Sequence, residues 1–313
     1  MRWLAPAGAA GALSTFIFHR VLERDDPLRV GEPDAARFER IVAFITRHFQ
    51  VLQLADAAAR LTAGRLPAAA ACITFDDGYA DNLTIAAPIL KRHGATATVF
   101  IATAYSDGGR MWNDSVIEAL RACRAPSIDL EAAGLGRWSL DGVQARRDAI
   151  GRLLPTIKYL DPTARAASVA AVQAACGEPL PDDLMMRSEQ VIALRRAGMQ
   201  IGAHTRSHPI LTRLAPDAAA DEIAGSKRDL EALLGEPVSL FAYPNGRPGT
   251  DYAAVHVDMV RGAGFAGAVS TAPGAANAGG DPFQLPRFLP WDREPLRFGL
   301  RMLANLRGSV AQA

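Results

Sequence analysis

The stretch Ala71-Cys72-Ile73-Thr74-Phe75-Asp76-Asp77-Gly78 joins a short, continuous apolar run to two acids and a glycine. Such a run, bounded by a turn signal, reads as a strand buried on both faces, as in parallel sheets. Comparable runs lie at 14–18, 49–54, 96–103, 199–203, 238–243 and 267–270. Between most of them the apolar residues switch to helical spacing, with Phe38, Ile41, Val42, Ile45 and Phe49 in one stretch and Ile223, Leu230, Leu233 and Leu234 after Pro216 in another. This alternation predicts parallel strands joined by crossover helices. Seven or eight such units favour a closed or nearly closed, TIM-like (β/α) barrel over a doubly wound open sheet. Residues 104–187 break the rhythm with helical segments and no clear strand, and read as a helical insertion carried on one strand-to-helix loop. No repeat or linker interrupts the chain, so 1–313 is expected to form a single domain.

A hydrophobic fraction of 49% beside 21% charged residues is that of a globular chain able to bury a sizeable core. The net charge of +1 comes from 34 basic and 33 acidic residues mixed along the chain, so neither nucleic acid nor a membrane surface is an expected partner. Cys72, Cys123 and Cys176 are odd in number and widely spaced, which fits buried thiols in a reducing compartment rather than a disulfide framework or a zinc ribbon. The first twenty residues have the small, apolar look of an export signal, but 14–18 reads better as a buried strand, and a cytoplasmic location is expected. No run reaches the roughly 18 consecutive apolar residues of a membrane span.

Asp76 and Asp77 stand at the carboxyl end of their predicted strand, the end that carries the chemistry in barrels. Adjacent carboxylates repel unless a cation or a proton sits between them, and a metal is the simplest supply. Neighbouring strand residues point to opposite sides unless the strand stops, which Gly78 allows, so one acid as ligand and the other as base is a natural division. The competing reading makes Asp76, Asp77 and Asp81 cap and first-turn acids of the next helix. A second motif, His204-Thr205-Arg206-Ser207-His208-Pro209, follows another predicted strand. Two imidazoles four residues apart can chelate one divalent ion, and an added carboxylate completes a three-ligand set that leaves a position open for water. Pro209 predicts an extended backbone at His208, so that a turn rather than a continuing helix holds the spacing.

Thr74-Phe75-Asp76-Asp77-Gly78 and the histidine motif together resemble the polysaccharide deacetylase family, also called the NodB-homology or carbohydrate esterase family four. The resemblance covers residues 14–290 once the insertion is allowed for. It implies a distorted (β/α) barrel in which Asp76 is the general base and Asp77, His204 and His208 hold a divalent metal, commonly zinc. Phe241-Ala242-Tyr243-Pro244-Asn245-Gly246 looks like the family's groove motif, with Ala242 where an arginine is usual and Asn245 where a tyrosine is usual. Tyr243, Pro244 and Asn245 are carried over as substrate and oxyanion residues, and Arg287 is the candidate replacement for the missing arginine, against a reading as a surface arginine. The family's late proton-donating histidine is absent: His256 is the only one there, in an apparent helix where a surface or core role is expected. His19 resembles the start of deacetylases acting on exopolysaccharides of N-acetylglucosamine and is the candidate acid, against a satisfied core histidine. His48 and His93 close predicted helices and read as caps.

The expected activity is metal-dependent hydrolysis of N-acetyl groups on an N-acetylglucosamine-type polysaccharide, with Zn2+ as cofactor and an N-acetylated glycan or glycolipid as partner. Two other readings share the metal residues: a catalytically inactive glycan-binding barrel, and a deacylase acting on a non-sugar amide.

Overall fold

The seven apolar runs form strands of one sheet in the computed structural model, which describes residues 5–290, 295–306 and 310–313. In chain order the elements are β1 (Ala12–Phe18), α1 (Ala35–His48), β2 (Gln50–Val51), α2 (Leu54–Thr62), β3 (Ala70–Phe75), α3 (Ala87–Arg92) and β4 (Thr98–Ile101). Next come α4 (Trp112–Ala122), β5 (Ser127–Asp129), β6 (Arg137–Ser139), α5 (Gly142–Lys158) and α6 (Pro162–Cys176). The chain ends with α7 (Ser188–Arg196), β7 (Gln200–Ala203), α8 (Pro216–Leu234), β8 (Leu240–Ala242), α9 (Ala254–Gly262), β9 (Gly267–Val269), β10 (Ala276–Asn277) and α10 (Pro295–Asn305). Two compact units result: residues 25–30 and 108–185 form one, and the remainder forms the other.

In the larger unit the strand order is β10-β1-β3-β4-β7-β8-β9, with β2 also paired to β3, and only the β1–β10 pairing is antiparallel. Residues 285–288, unread as a strand in the sequence, bridge β9, at one end of this curled path, to β1, one strand short of the other end. Ser270 N donates to Leu285 O at 2.8 Å and Leu285 N to Ala268 O at 2.9 Å, while Phe288 N donates to Thr15 O at 2.7 Å and Ile17 N to Phe288 O at 3.1 Å. The fold is therefore the expected distorted (β/α) barrel, closed by isolated bridges to β9 and β1 instead of a full strand.

Strand periodicity sorts the side chains. Ile73, Phe75, Ile201, Ala203, Phe241 and Tyr243 pack with helix residues such as Phe38, Val42, Ile45, Leu90, Ile223 and Val260. Cys72, Phe100, Leu240, Ala242 and Val269 face the other way and share a second cluster with α2. A Cβ on Gly202 would lie 2.4 Å from the Phe100 ring, so the glycine leaves that ring its place on the inner face.

The smaller unit packs α4, α5 and α6 around Val116, Leu120, Leu153, Ile157 and Val172. It also holds the antiparallel β5–β6 hairpin, which corrects the expectation of helices alone; strands of three residues with exposed, polar ends carry too little periodicity to read. Arg29 bonds Asp114 at 2.7 Å and Glu118 at 2.8 Å there, all three side chains being buried. The three cysteines are free and buried. Among the described residues no helix is long and apolar enough to cross a membrane.

Candidate active site

β3 stops at Phe75, and the turn after it decides where the two acids go. Asp76 keeps the parity of Cys72 and Thr74, which turns it to the inner face. Asp77 should then point outward. Instead it adopts φ +75° and Gly78 φ +88°, in a turn where Gly78 N donates to Asp76 O at 3.0 Å. A left-handed non-glycine residue costs on the order of 1–3 kcal/mol and persists only where its surroundings hold it. Here it brings both carboxylates to the same imidazole: His204 Nε2 lies 3.9 Å from Asp76 Oδ2 and 3.5 Å from Asp77 Oδ1. The cap reading fails for Asp81, whose carboxylate accepts from Arg20 Nε at 2.7 Å and Val21 N at 3.1 Å and makes no cap bond to the backbone of the next helix.

The histidine motif leaves β7 as a turn, as expected, but its backbone corrects the reading of Pro209. His208 has φ +52°, not an extended value, and Thr205 has φ +61°. The cause is local: Thr205 Oγ1 accepts the His208 N–H at 3.1 Å and curls the turn back on itself. His204 Nδ1 lies 2.7 Å from Ala242 O. A carbonyl only accepts, so Nδ1 carries the proton and Nε2 is left with a free lone pair at the mouth. Position 242, where the sequence lacks the usual arginine, thus contributes through its backbone.

His208 Nε2 stands 3.4 Å from the same Asp77 Oδ1. Asp77, His204 and His208 each offer one ligand atom within 4.8 Å of the others, and all three are buried among the described residues. Asp77 Oδ1 is buried with no hydrogen-bond partner among the described residues, although two imidazole nitrogens face it. A shared cation explains that arrangement, since ligands about 2.0–2.1 Å from a tetrahedral zinc ion stand about 3.3 Å apart. The donor set fits a divalent metal.

Burial alone raises the Asp77 carboxyl, but the facing His208, His204 and His19 outweigh it and hold the group well below the usual carboxylate range. Burial likewise raises Asp76, and Arg287, with help from His204 and His19, reverses the sign. His208 is pushed down to about 3, mainly by burial, with the neighbouring His204 acting in the same sense against Asp77 and Asp76. It is therefore a neutral imidazole, the form that binds metal. For His204 burial lowers the value, but Asp76 and Asp77 prevail and raise it.

Arg287 is no surface arginine and does not stand as an oxyanion donor. It is buried and grips Asp76 with both terminal nitrogens, Nη1 to Oδ1 at 2.6 Å and Nη2 to Oδ2 at 2.8 Å, while Nε donates to Ser270 O at 2.8 Å. Tyr243 is also corrected. It shares the outward parity of Phe241, its ring stacks on Tyr252 at 3.8 Å, and its hydroxyl donates to Phe283 O at 3.0 Å, so its side chain belongs to the core. Pro244 is buried beside it, and Asn245 comes next at φ +58°, with its carbonyl accepting from Thr271 Oγ1 at 2.7 Å. No acceptor among the described residues takes the Asn245 backbone N–H. His19 is half-buried just past β1, close enough for its charge to act on Asp76, Asp77 and His208. Asn82, which the sequence reading missed, fixes that loop by donating to His19 O at 2.9 Å; its place six residues after Asp76 was the available signal. His256 lies in α9, where its Nδ1 accepts from Ala253 N at 3.0 Å and caps the helix.

The sequence profile of the polysaccharide deacetylase family matches residues 63–139 and 153–265. YxkH of Bacillus subtilis (strain 168), a protein provisionally named for that family, is 23% identical over 230 residues, or 73% of this chain and 54% of its own length. The chain therefore spans about half the length of that curated relative. The fold is similar to that of the Streptococcus pyogenes deacetylase PplD in complex with acetate, with a TM-score of 0.62 at 17% identity over 93% of this chain and 98% of that one. IcaB from Ammonifex degensii gives 0.61 at 18% identity over 96% and 97%.

Proposed function

The chain belongs to the polysaccharide deacetylase family, and from that premise we propose that it is a metal-dependent hydrolase that removes N-acetyl groups from an N-acetylglucosamine-type glycan. The observation that carries the reading is the unpartnered Asp77 Oδ1 between His204 Nε2 and His208 Nε2, beside a second carboxylate held by Arg287.

An amide is a poor electrophile with a poor leaving group, so its hydrolysis needs a strong nucleophile and a stabilised oxyanion. Asp77, His204 and His208 would hold a divalent metal, zinc the first candidate, and its Lewis acidity would serve to activate water and polarise the acetyl oxygen. Asp76 is the base. Arg287 occupies one side of its carboxylate and keeps it ionised, so that it can take the proton of the attacking water. The Asn245 N–H is the donor for the developing oxyanion. His19, at the carboxyl end of β1 beside that of β3, protonates the departing sugar nitrogen; His19→Ala should keep its metal and lose kcat, and an unchanged kcat would leave Asp76 as both base and acid. A barrel that only gripped glycans would have no use for a carboxylate so prepared.

The test is metal analysis of the purified chain followed by acetate release across N-acetylglucosamine oligomers. Stoichiometric divalent metal and acetate release that a chelator abolishes are expected. Release from small non-sugar amides but not from the oligomers would redirect the substrate assignment.

A further inference from the structure

We propose that Glu222, on α8, tunes the metal affinity of the Asp77–His204–His208 site by holding the turn between the two histidines in its ligating shape; this rests on the metal reading above. Glu222 belongs to neither motif and lies fourteen residues beyond His208. Its Oε2 accepts the backbone N–H of Arg206 at 2.8 Å and of Ser207 at 2.9 Å, and its Oε1 accepts the Ser207 hydroxyl at 2.6 Å. One carboxylate thus takes three donors from the two central residues of His204–His208.

That turn needs an outside anchor. Thr205 and His208 flank its centre in left-handed conformations that non-glycine residues rarely adopt. The turn's carbonyls are also taken: Thr205 O by Thr103 N at 3.3 Å, Arg206 O by Ala104 N at 2.9 Å and Ser207 O by Tyr105 at 3.0 Å. Glu222 serves the opposite edge, where the N–H groups point. α8 is shaped for the same purpose around Arg206, whose Nε and Nη2 bond Asp229 at 2.9 and 3.1 Å. A Cβ on Gly225 would lie 2.4 Å from the Arg206 guanidinium carbon, so only glycine leaves that path open. Between them, Glu222 and the Arg206 channel fix both the backbone and the side chain of the turn. The carboxylate matters because a charged acceptor binds N–H and O–H donors more strongly than a neutral one. Glu222 touches no ligand atom and is a positioning residue.

The measurement is the Zn2+ affinity of the full chain, read by competition with a chromophoric chelator. Removing an outer partner of a metal site commonly weakens binding by about 10- to 100-fold, and Glu222→Ala is expected to fall in that range. Glu222→Gln, which keeps an acceptor oxygen without the charge, should fall between Ala and wild type. Asp217→Asn, which changes an exposed acid in the first turn of the same helix, should match wild type. At saturating Zn2+ the kcat of Glu222→Ala should return to near the wild-type value, a recovery that general destabilisation would not give. A folded Glu222→Ala or Glu222→Gln variant that binds Zn2+ as tightly as wild type overturns the proposal. A wild-type chain that binds no divalent metal overturns the metal reading itself, and with it this one.

Discussion

At Asp77 the backbone turns through φ +75°, and that single step separates the work of two chemically identical side chains. Asp76 continues the strand and meets Arg287; Asp77 leaves it and meets two imidazoles. The separation gives opposite expectations for neighbouring substitutions. Asp77→Ala, His204→Ala and His208→Ala should each lose tight divalent metal and activity, as measured by metal content after dialysis. Asp76→Asn should keep the metal and lose about 100-fold or more in turnover. Metal lost from Asp76→Asn but kept by Asp77→Asn would reverse the two roles. Arg287 carries a pH consequence. Its charge lowers the Asp76 pKa, so Arg287→Met should raise it; the proposed base role requires an ionised Asp76, and on that mechanism the acid limb of the kcat/KM profile should move to higher pH. An acid limb that stays in place would show that something else keeps Asp76 ionised.

At the scale of elements, the strand ends were the legible part. Runs such as 71–75 and 199–203 have the length and apolar content of buried strands, and the motifs come directly after them, so placing both at one mouth needed only the rule that barrel chemistry sits at carboxyl ends. Tyr243 shows where reading by motif misled. Counted from Phe241, which packs against helices, its parity already points away from the mouth. Tyr243→Phe should therefore cost about 1 kcal/mol of stability for the lost bond to Phe283 O and leave KM unchanged. A raised KM with unchanged melting temperature would return the hydroxyl to the substrate groove. Glu222 went unread, and Arg287 was read only as a candidate replacement for the missing arginine, for another reason. Each meets its partner across a sequence separation that no local pattern records, 211 residues for Arg287 and Asp76. The β5–β6 hairpin escaped because short, polar strands have no periodicity to detect.

At the scale of the whole molecule, the chain builds two units with separate sources of cohesion. The larger has its two apolar layers on either side of a curled sheet. The smaller adds a buried ion cluster to its helical core, with Arg29 between Asp114 and Glu118. Breaking such a cluster from one side leaves buried charge uncompensated, at a cost of about 3–5 kcal/mol. Arg29→Met should therefore lower the unfolding temperature of the smaller unit, as followed by protease sensitivity within 108–185, while metal binding persists. Equal stability of that variant would mean that the carboxylates find other compensation.

Residues 285–288 tie β9 to β1 across the curled sheet, and the same four residues deliver Arg287 to Asp76. The segment that makes the barrel's last bridges is therefore also the one that supplies the guanidinium beside Asp76, the proposed base. With those bridges open, Asp76 would lose the cation that offsets its burial, and its pKa would rise. On the proposed mechanism, barrel closure therefore works as a safety catch, because Asp76 would become a ready base only once residues 285–288 are in place.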